Sequence, residues 1–244
     1  MKIKILILAL CFLTCFITAA NDRITMPKEM VSRQVKTISG VSSKVKKATL
    51  ESAVRVVHAD TGSYGSGSYI LFDDQYVILT AAHVVSDNDE FIIQNGFEKV
   101  SGNVVYRDDV NDIAFLKVQQ MKSRTALKYK VSTKKDIVGQ TLLYAGYPNS
   151  ADLFLFFGNV AGYRGDIIMM HSYAWMGASG SVVLDLNGRI VGVLNAIDVG
   201  YGLRGPQLVE DMIWVANISK VNLEKLRKGL IKKDVNIHKK IKTN

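Results

Sequence analysis

Short apolar runs separated by polar turn residues make up the chain from about residue 50 onward. Val, Ile, Leu, Phe and Tyr dominate these runs, as in SAVRVVHA, GSYILF, QYVILTAAHVV, DIAFLKV and RIVGVLNAI. Turn-forming residues divide them, at Asp73-Asp74, Asn95-Gly96, Pro148-Asn149-Ser150 and Asn187-Gly188. Many short strands at regular spacing, without interleaved helices, predict an all-β sandwich or barrel. A polar stretch over about 119–136 is predicted to join two halves.

The spacing of apolar residues becomes helical near the C-terminal end. The apolar positions there are Leu208, Met212, Ile213, Val215, Ile218, Val221, Leu223 and Leu226. Such spacing predicts an amphipathic helix. We therefore expect a C-terminal helix over about 208–224 that lies on the β-structured body. The helix end and a basic tail then follow over 225–244.

Residues 1–20 have the pattern of a secretory signal peptide. Lys2 and Lys4 precede an apolar run over 5–17, and small residues follow it up to Ala20. A basic segment, a short apolar segment and a small-residue exit are typical of a cleaved signal. An uncleaved anchor is the alternative, but the apolar run is shorter than the ~20 residues of a spanning helix. We therefore expect a secreted or periplasmic protein.

Both cysteines, Cys11 and Cys15, lie within this apolar run. A mature chain that begins after residue 20 would therefore carry no disulfide, cysteine nucleophile or cysteine metal site. The segment 21–47 is polar and has little periodicity, which is typical of a lead-in or a propeptide. The predicted domain then occupies 48–224.

The formal net charge of +9 is distributed unevenly along the chain. Residues 1–20 carry +2, 21–47 carry +5 and 225–244 carry +7, whereas 48–224 carry −5. A basic tail can contact anionic lipid or polymer surfaces, and a solvated tail is the alternative. Because no aromatic residue is interleaved with the tail lysines, we expect no nucleic-acid binding.

Three of the apolar segments carry side chains that together could form a nucleophilic site. His83 stands in ILTAAHVV, Asp112 opens DIAFLKV, and Ser179 lies in GASGS. A serine hydroxyl needs a base that titrates near neutral pH, which imidazole provides, and a carboxylate that orients the imidazole. Backbone amides beside a glycine such as Gly177 can stabilise a developing oxyanion. Each segment alone is typical of a turn or a strand end, whereas the three together predict a catalytic triad.

These segments resemble the landmarks of trypsin-like (chymotrypsin-fold) serine proteases, and most of all the bacterial high-temperature-requirement proteases and glutamyl endopeptidases. GSGSYILFDDQYVILTAAHVV resembles the strands that lead to the catalytic histidine, and VGQTLLYAGYP resembles the strand that opens the second barrel. GASGSVVLDLNGRIVGV resembles the nucleophile segment. The resemblance covers about 65–215 and implies two six-stranded Greek-key barrels, over about 50–120 and 135–205, with the active site in the cleft between them.

The resemblance also implies roles for individual residues. Ser179 would be the nucleophile of a serine endopeptidase, His83 its general base and Asp112 the carboxylate that orients His83. The amides of Gly177 and Ser179 would form the oxyanion hole. The implied substrate is a polypeptide that is cleaved through an acyl-enzyme, and no cofactor is implied.

Two residues near the serine depart from the family pattern. Ala178 stands where many members have Asp or Asn, so activation through an ion pair between that Asp and a new N-terminus is not expected. Val182 replaces a proline that is usual in the family. These departures keep open a second hypothesis, a catalytically weak or inactive binding or adhesion protein on a protease fold. The presence of all three triad residues favours the enzyme.

Five residues are candidates for substrate binding. Tyr173, six residues before the serine, occupies the place of trypsin's acidic pocket floor, so we expect an apolar or small P1 residue. His171 is a candidate for the pocket wall, with an ordinary strand position as the alternative. Asn195, Ala196 and Ile197 are expected to flank the substrate backbone as a strand edge.

Two other features of the sequence are expected to be structural. His58 is predicted to lie in the first barrel strand, and Gly65-Ser66-Gly67-Ser68 lacks partner residues for a second nucleophile. The 4 histidines are scattered along the chain. Without a cysteine in the mature chain they form no set with metal-ligand spacing, so no metal site is expected.

Overall fold

Thirteen β-strands, two α-helices and three short 3-10 helices make up the part of the chain that the structure describes. The computed structural model describes residues 41–86, 90–150, 152–202 and 205–242. The predicted signal peptide, and most of the predicted lead-in, lie outside the described residues.

Six antiparallel strands close into the first barrel. They are β1 (Ala53–Val57), β2 (Tyr64–Phe72), β3 (Gln75–Thr80), β4 (Glu90–Asn95), β5 (Glu98–Asp108) and β6 (Ile113–Val118). Their order is β1-β4-β5-β6-β3-β2, and the pairing of β1 with β2 closes the barrel. Its core includes the fully buried side chains of Tyr69, Ile78, Phe91 and Leu116. A short strand, β7 (Leu127–Lys128), adds in parallel to β2.

The second barrel also closes from six antiparallel strands. They are β8 (Thr141–Gly146), β9 (Phe154–Arg164), β10 (Ile167–His171), β11 (Val182–Asp185), β12 (Ile190–Gly202) and β13 (Gly205–Asn217). The order around this barrel is β10-β13-β12-β11-β8-β9. Leu142, Tyr144, Ile168, Val183 and Val215 lie in its core. The predicted all-β fold with two six-stranded barrels is therefore confirmed.

The predicted helix over 208–224 is wrong, because most of that segment belongs to strand β13. Ile213 and Val215 are buried in the barrel, whereas Met212 and Trp214 alternate with them and are half-buried. The strand pairs with β10 on one side and β12 on the other. The apolar residues fit a helical spacing and a strand alternation equally well over this short range, and the two long-range pairings decide in favour of the strand.

A C-terminal helix does exist, but it begins later, as α2 (Leu223–Lys242). The side chain of Asn222 accepts a hydrogen bond of 3.0 Å from the amide of Lys225 and caps the helix start. Leu226 and Leu230 are buried. A Cβ added at Gly229 would overlap the carbonyl of Val105 in β5, so the helix packs tightly on the first barrel. Contact of the basic tail with an anionic surface stays a prediction.

A first helix, α1 (Ser43–Ser52), was not expected in the polar segment 21–47. The hydroxyl of Ser42 accepts a hydrogen bond of 3.3 Å from the amide of Val45 and caps it. The helix leads directly into β1. Leu50, at its C-terminal end, packs against a small cluster of Ala53, Ala145 and Tyr147 that joins the two barrels. Among the described residues, no helix is both long and apolar enough to cross a membrane.

Candidate active site

His83 and Asp112 are joined by two hydrogen bonds. The ring Nδ1 of His83 lies 2.8 Å from Oδ2 of Asp112, and the backbone amide of His83 donates to Oδ1 at 2.9 Å. The carboxylate thus holds both the ring and the main chain of the histidine. When Nδ1 carries the proton that points to the carboxylate, Nε2 of the neutral ring is left as an acceptor. The side chain of His83 is 48% exposed.

Two local structures deliver these side chains to each other. His83 lies in a 3-10 helix, Ala82–Val85, that begins just after β3, and the small residues Ala81 and Ala82 are fully buried there. Asp112 has a φ of 52°, a left-handed conformation, immediately before β6. Such a conformation is uncommon for residues other than glycine and is most accessible to Asn and Asp. It turns the carboxylate towards the histidine.

Asp108 organises the turn that carries Asp112. Its carboxylate accepts hydrogen bonds of 3.1 Å from the amides of Val110 and Asn111, and one of 2.8 Å from the side-chain nitrogen of Asn111. Burial is the largest influence on the pKa of Asp108 and raises it. The hydrogen bonds together outweigh this effect, so the pKa lies below its usual value. Asp108 is therefore held in its ionised form as the centre of the turn.

The loop that contains Ser179 is tied to both barrels. The carbonyl of Ser179 accepts a hydrogen bond of 2.7 Å from the amide of Ser66 in β2, and the amide of Gly180 donates at 2.7 Å to Leu194 in β12. Gly177 and Gly180 have φ values of 93° and 89°, which L side chains rarely adopt. The loop therefore needs glycine at both positions that flank Ala178 and Ser179. The side chain of Ser179 is half-buried.

Gly65 separates the histidine helix from the serine loop. A Cβ added at this position would lie 2.6 Å from a methyl group of Val84 and 3.0 Å from the carbonyl oxygen of Ser179. The residue after His83 and the main chain of Ser179 therefore meet on either side of one glycine. The structure thus brings the three predicted triad residues into one region at the junction of the barrels.

Hydrogen bonds to two carbonyl groups fix the main chain just before Ser179. The hydroxyl of Ser66 donates to the carbonyl oxygen of Gly177 at 2.7 Å, and the amide of Asn149 donates to that of Met176 at 2.7 Å. The amides of Gly177 and Ser179 donate no hydrogen bond within the part of the chain that the structure describes.

Ser66 and Tyr147 belong to this region although the sequence did not indicate a role for either. Ser66 is fully buried, and besides its bond to Gly177 it accepts one of 3.0 Å from the amide of Tyr147. The Gly-Ser-Gly segment around Ser66 was interpreted as structural, and it is so in the sense that it supports the serine loop. The sequence feature that could have indicated this role is the pair of glycines on either side of Ser66. Gly65 permits the close approach of the Val84 side chain to the strand, and Gly67 permits that of Ile78.

Four of the five predicted substrate-binding residues lie on strands of the second barrel, and Tyr173 lies in the loop after β10. Tyr173 is 50% exposed, and its carbonyl accepts a hydrogen bond from the hydroxyl of Tyr144. Burial raises the pKa of Tyr144, which keeps the hydroxyl protonated as a donor. His171 is the exposed last residue of β10.

Residues 195–197 lie on β12 beyond the end of β11. The pairing of β11 with β12 ends at Val182 and Val193, whereas Ala196 and Ile197 pair only with β13 among the described residues. One edge of this segment is therefore unpaired there. Asn195 is the extra residue of a β-bulge in the pairing with β13.

The described residues contain no group of three or more His, Cys, Asp or Glu side chains that could hold a metal ion. His58 directly follows β1, and its ring contacts that of Phe91 edge-on at 5.7 Å.

Comparison with proteins of known sequence places this geometry in a family. The model of the trypsin-like peptidase domain matches residues 65–193, which is more than half of the chain. A probable periplasmic serine endoprotease, DegP-like, of Bartonella henselae is 27% identical over 181 residues, or 70% of this chain and 35% of that protein. The chain therefore spans about a third of the length of this curated relative.

Solved structures share the fold at lower sequence identity. The inactive form of the Rv3671c protease of M. tuberculosis has a TM-score of 0.60 and 21% identity, covering 77% of this chain and 93% of its own. The serine endoprotease from Yersinia pestis has a TM-score of 0.61 and 20% identity, covering 76% and 66%. The HtrA-type protease AlgW with tripeptide has a TM-score of 0.59 and 18% identity, covering 72% and 60%. The chain belongs to the trypsin-like peptidase family.

Proposed function

We propose that this protein is an exported serine endopeptidase that uses Ser179, His83 and Asp112. The observation that carries the proposal is the double hydrogen bond between His83 and Asp112, because it leaves Nε2 of the ring available as a base. The serine loop, in which the amides of Gly177 and Ser179 donate no hydrogen bond to the described residues, supports the same role. Export is supported by the signal-peptide pattern of residues 1–20 and by the periplasmic designation of the Bartonella relative.

The reaction begins with proton transfer from the Ser179 hydroxyl to Nε2 of His83 while Oγ attacks the carbonyl carbon of the peptide bond. The carbonyl oxygen becomes an oxyanion that accepts hydrogen bonds from the amides of Gly177 and Ser179. His83 then gives its proton to the leaving nitrogen, the C–N bond breaks, and an ester remains on Ser179. Water, activated by His83, hydrolyses this ester and restores the free hydroxyl. Asp112 keeps the ring oriented and stabilises its positive charge throughout.

The substrate binds as an extended strand along residues 195–197. The unpaired edge of β12 supports this mode, since main-chain groups there are free to pair with an added strand. Tyr173 occupies the position at which trypsin has an acidic residue on the floor of its specificity pocket. Cleavage therefore follows an apolar or small residue rather than Lys or Arg. His171 is a candidate for the wall of the same pocket.

The experiment that tests the proposal compares the protein with its Ser179→Ala variant in a peptide-library cleavage assay and in labelling with a fluorophosphonate probe. The variant should lose labelling and turnover. Ser181→Ala is the matched control, because Ser181 is buried two residues away and its hydroxyl has no hydrogen-bond partner among the described residues. Undiminished cleavage by the Ser179→Ala variant would exclude Ser179 as the nucleophile.

A second measurement tests the histidine. His83→Ala removes the acceptor nitrogen from the site, so kcat should fall by several orders of magnitude. A His83→Ala variant that keeps the kcat of the parent would contradict a histidine base.

A further inference from the structure

Two neighbouring residues of β5, Tyr106 and Arg107, contact both helix α2 and the turn before Asp112. The strand ends at Asp108, whose carboxylate organises that turn. Helix α2 packs against the same strand. The C-terminal helix and the candidate active site are therefore bonded to the same two residues, which the sequence did not single out.

The hydroxyl of Tyr106 joins the start of α2 to the turn. It accepts a hydrogen bond of 3.2 Å from the amide of Asn222, the residue that caps the helix, and donates one of 3.4 Å to Oδ2 of Asp108. Burial raises the pKa of Tyr106, so the hydroxyl keeps the proton that it donates. The buried ring packs edge-on against Phe115 at 5.8 Å. The start of the helix and the carboxylate at the centre of the turn thus share one firmly packed side chain.

Arg107 joins the histidine helix to the same turn. Its Nη1 donates a hydrogen bond of 3.2 Å to the carbonyl of Val85, the last residue of the 3-10 helix that carries His83. Its Nε donates at 2.6 Å to the carboxylate of Asp109, within the turn. Carbonyl groups at the end of a helix have no partner inside it, and a cationic side chain is a favourable donor to them. One guanidinium therefore bridges the two segments that deliver His83 and Asp112 to each other.

Lys225 holds the backbone of Arg107 from the side of the helix. Its ammonium group donates a hydrogen bond of 3.2 Å to the carbonyl of Arg107 and lies 5.4 Å from the ring centroid of Tyr106. The aromatic face attracts the cation and the carbonyl accepts its proton, so both contacts favour one position of the ammonium group. The first turn of α2 thus contacts both residues of β5 that reach the segments of the candidate triad.

We propose that Tyr106 and Arg107 are positioning residues of the candidate triad and that helix α2 fixes their geometry. They act by keeping His83 and Asp112 at the 2.8 Å separation of their hydrogen bond. A misplacement of about 1 Å caused by a mutation far from the chemistry can cost about 10²-fold in rate. The inference rests on the proposed function, because this separation affects turnover only if His83 is the base.

Arg107→Met tests the bridge between the two segments, because it removes every donor of the side chain and keeps its aliphatic part. We expect kcat to fall by at least about tenfold and KM to change by less than about twofold, since the substrate does not touch Arg107. Arg107→Lys retains one donor and should restore part of the kcat. Lys99→Met is the matched control, because Lys99 is an exposed cation near the other end of β5.

Tyr106→Phe and Lys225→Met test the connection to the helix. Each should lower kcat by at least about threefold, because each removes one contact between α2 and β5. The double variant Arg107→Met/Lys225→Met should lose no more than about twofold beyond Arg107→Met alone, since residues that act through one network are not additive. Lys228→Met is the control on the same helix, because the side chain of Lys228 is 75% exposed and pairs with Glu224 at the surface.

Two measurements separate positioning from a loss of folded protein. Titration of Ser179 with the fluorophosphonate probe counts the reactive molecules, so that kcat is expressed per active site. The rate of labelling should fall in parallel with kcat, whereas the affinity for a peptide, measured in the Ser179→Ala background, should stay unchanged. A kcat per active site that is equal in Arg107→Met and Lys99→Met would overturn the role of Arg107.

The role of the helix has its own contrary outcomes. Equal kcat values in Lys225→Met and Lys228→Met, or effects of Arg107→Met and Lys225→Met that multiply in the double variant, would show that α2 does not act through β5. If the unmodified protein neither cleaves peptides nor reacts with the probe, the proposed function itself fails. An active parent with unaffected variants contradicts only the positioning roles.

Discussion

The hydroxyl of Ser66, in the first barrel, donates a hydrogen bond of 2.7 Å to the carbonyl oxygen of Gly177, two residues before Ser179 in the second half of the chain. The same hydroxyl oxygen accepts a hydrogen bond from the amide of Tyr147. One fully buried side chain thus connects β2, the loop after β8 and the serine loop. With its carbonyl held in this way, the peptide unit that follows Gly177 has a defined orientation.

Replacing Ser66 by Ala should therefore lower both stability and catalysis. The substitution leaves the carbonyl of Gly177 and the amide of Tyr147 without this partner, at a cost of about 1–3 kcal/mol in the free energy of unfolding. We expect kcat to fall more than KM rises, because the oxyanion donors lose their alignment. Urea unfolding and steady-state kinetics measure the two effects.

Ser68→Ala is the control for that variant. Ser68 is a buried serine two residues further along the same strand. It should retain the kcat of the unmodified protein. A Ser66→Ala variant with the same kcat as Ser68→Ala would show that the bond to Gly177 is structurally present but catalytically irrelevant.

Asp112→Asn should abolish most of the activity with little effect on the fold. The amide side chain can still accept from the backbone of His83, but its nitrogen now faces Nδ1 and favours the wrong ring tautomer. In triads of this kind the loss is roughly 10⁴-fold in kcat. The measurement is kcat/KM at neutral pH, with circular dichroism as the check on folding. Activity within tenfold of the parent would argue that Asp112 does not orient the base.

Asp108→Asn should destabilise the protein at neutral pH more than in acid. The pKa of Asp108 is lowered in the folded state, mainly because its hydrogen bonds outweigh the effect of burial. Its ionised form thus contributes stability above the carboxyl pKa of the unfolded chain, and this contribution is lost as the pH falls through the folded pKa. We expect a loss of about 1 kcal/mol at pH 7, measured by urea unfolding, and a smaller loss in acid.

Asp109→Asn controls for a general charge effect. Asp109 is the neighbouring carboxylate, with 68% of its side chain exposed, and pairs with Arg107 at the surface. Such pairs contribute little, so this variant should change the unfolding free energy by less than about 1 kcal/mol. If the two variants show the same dependence on pH, the turn is not held by the carboxylate of Asp108.

Gly180→Ala should be among the most damaging single substitutions in the chain. The new Cβ would overlap the carbonyl oxygen of Ser66 and Oγ1 of Thr80, at a φ of 89°. The combined steric and conformational cost should exceed about 4 kcal/mol and prevent accumulation of folded protein. Expression and thermal unfolding measure the effect.

Gly62→Ala is the control that separates the steric cost of an added Cβ from the conformational cost of a positive φ. Gly62 has a φ of 69° but no heavy atom within 4 Å of an added Cβ. Its replacement should cost only about 1–2 kcal/mol, because the left-handed conformation alone is penalised. A Gly180→Ala variant that is no less stable than Gly62→Ala would mean that the serine loop can move away from Ser66.

The residues of the candidate triad were predictable from three local segments taken together. His83 follows an apolar strand, Asp112 opens another, and Ser179 stands between glycines. Each segment alone is typical of a turn or a strand end, and it is their combination in one chain that predicts the triad. The support from Ser66 and Tyr147 was not predictable, because it depends on contacts between residues that are distant in the sequence.

At both ends of the domain, the sequence pattern was insufficient to predict the secondary structure. The 208–224 segment was predicted as a helix and forms strand β13 with the 3-10 helix that follows it, because pairing with β10 and β12 satisfies its backbone. The helix α1 was missed because its apolar residues are few, and its stability comes from packing of Leu50 at the joint between the barrels. The local spacing of apolar residues does not indicate with which strands β13 pairs or against which residues α1 packs.

The order of apolar runs and turns was therefore sufficient for the all-β class, and the three short segments were sufficient for the identity of the candidate nucleophile, base and carboxylate. These properties depend on neighbouring residues and on side-chain chemistry, which the sequence states directly. Barrel closure, the orientation of the Gly177 peptide group and the contacts of Tyr106 and Arg107 with helix α2 arose only in the tertiary structure. Each of them requires groups from distant parts of the chain to meet within hydrogen-bonding or van der Waals distance, and the folded backbone alone sets those distances.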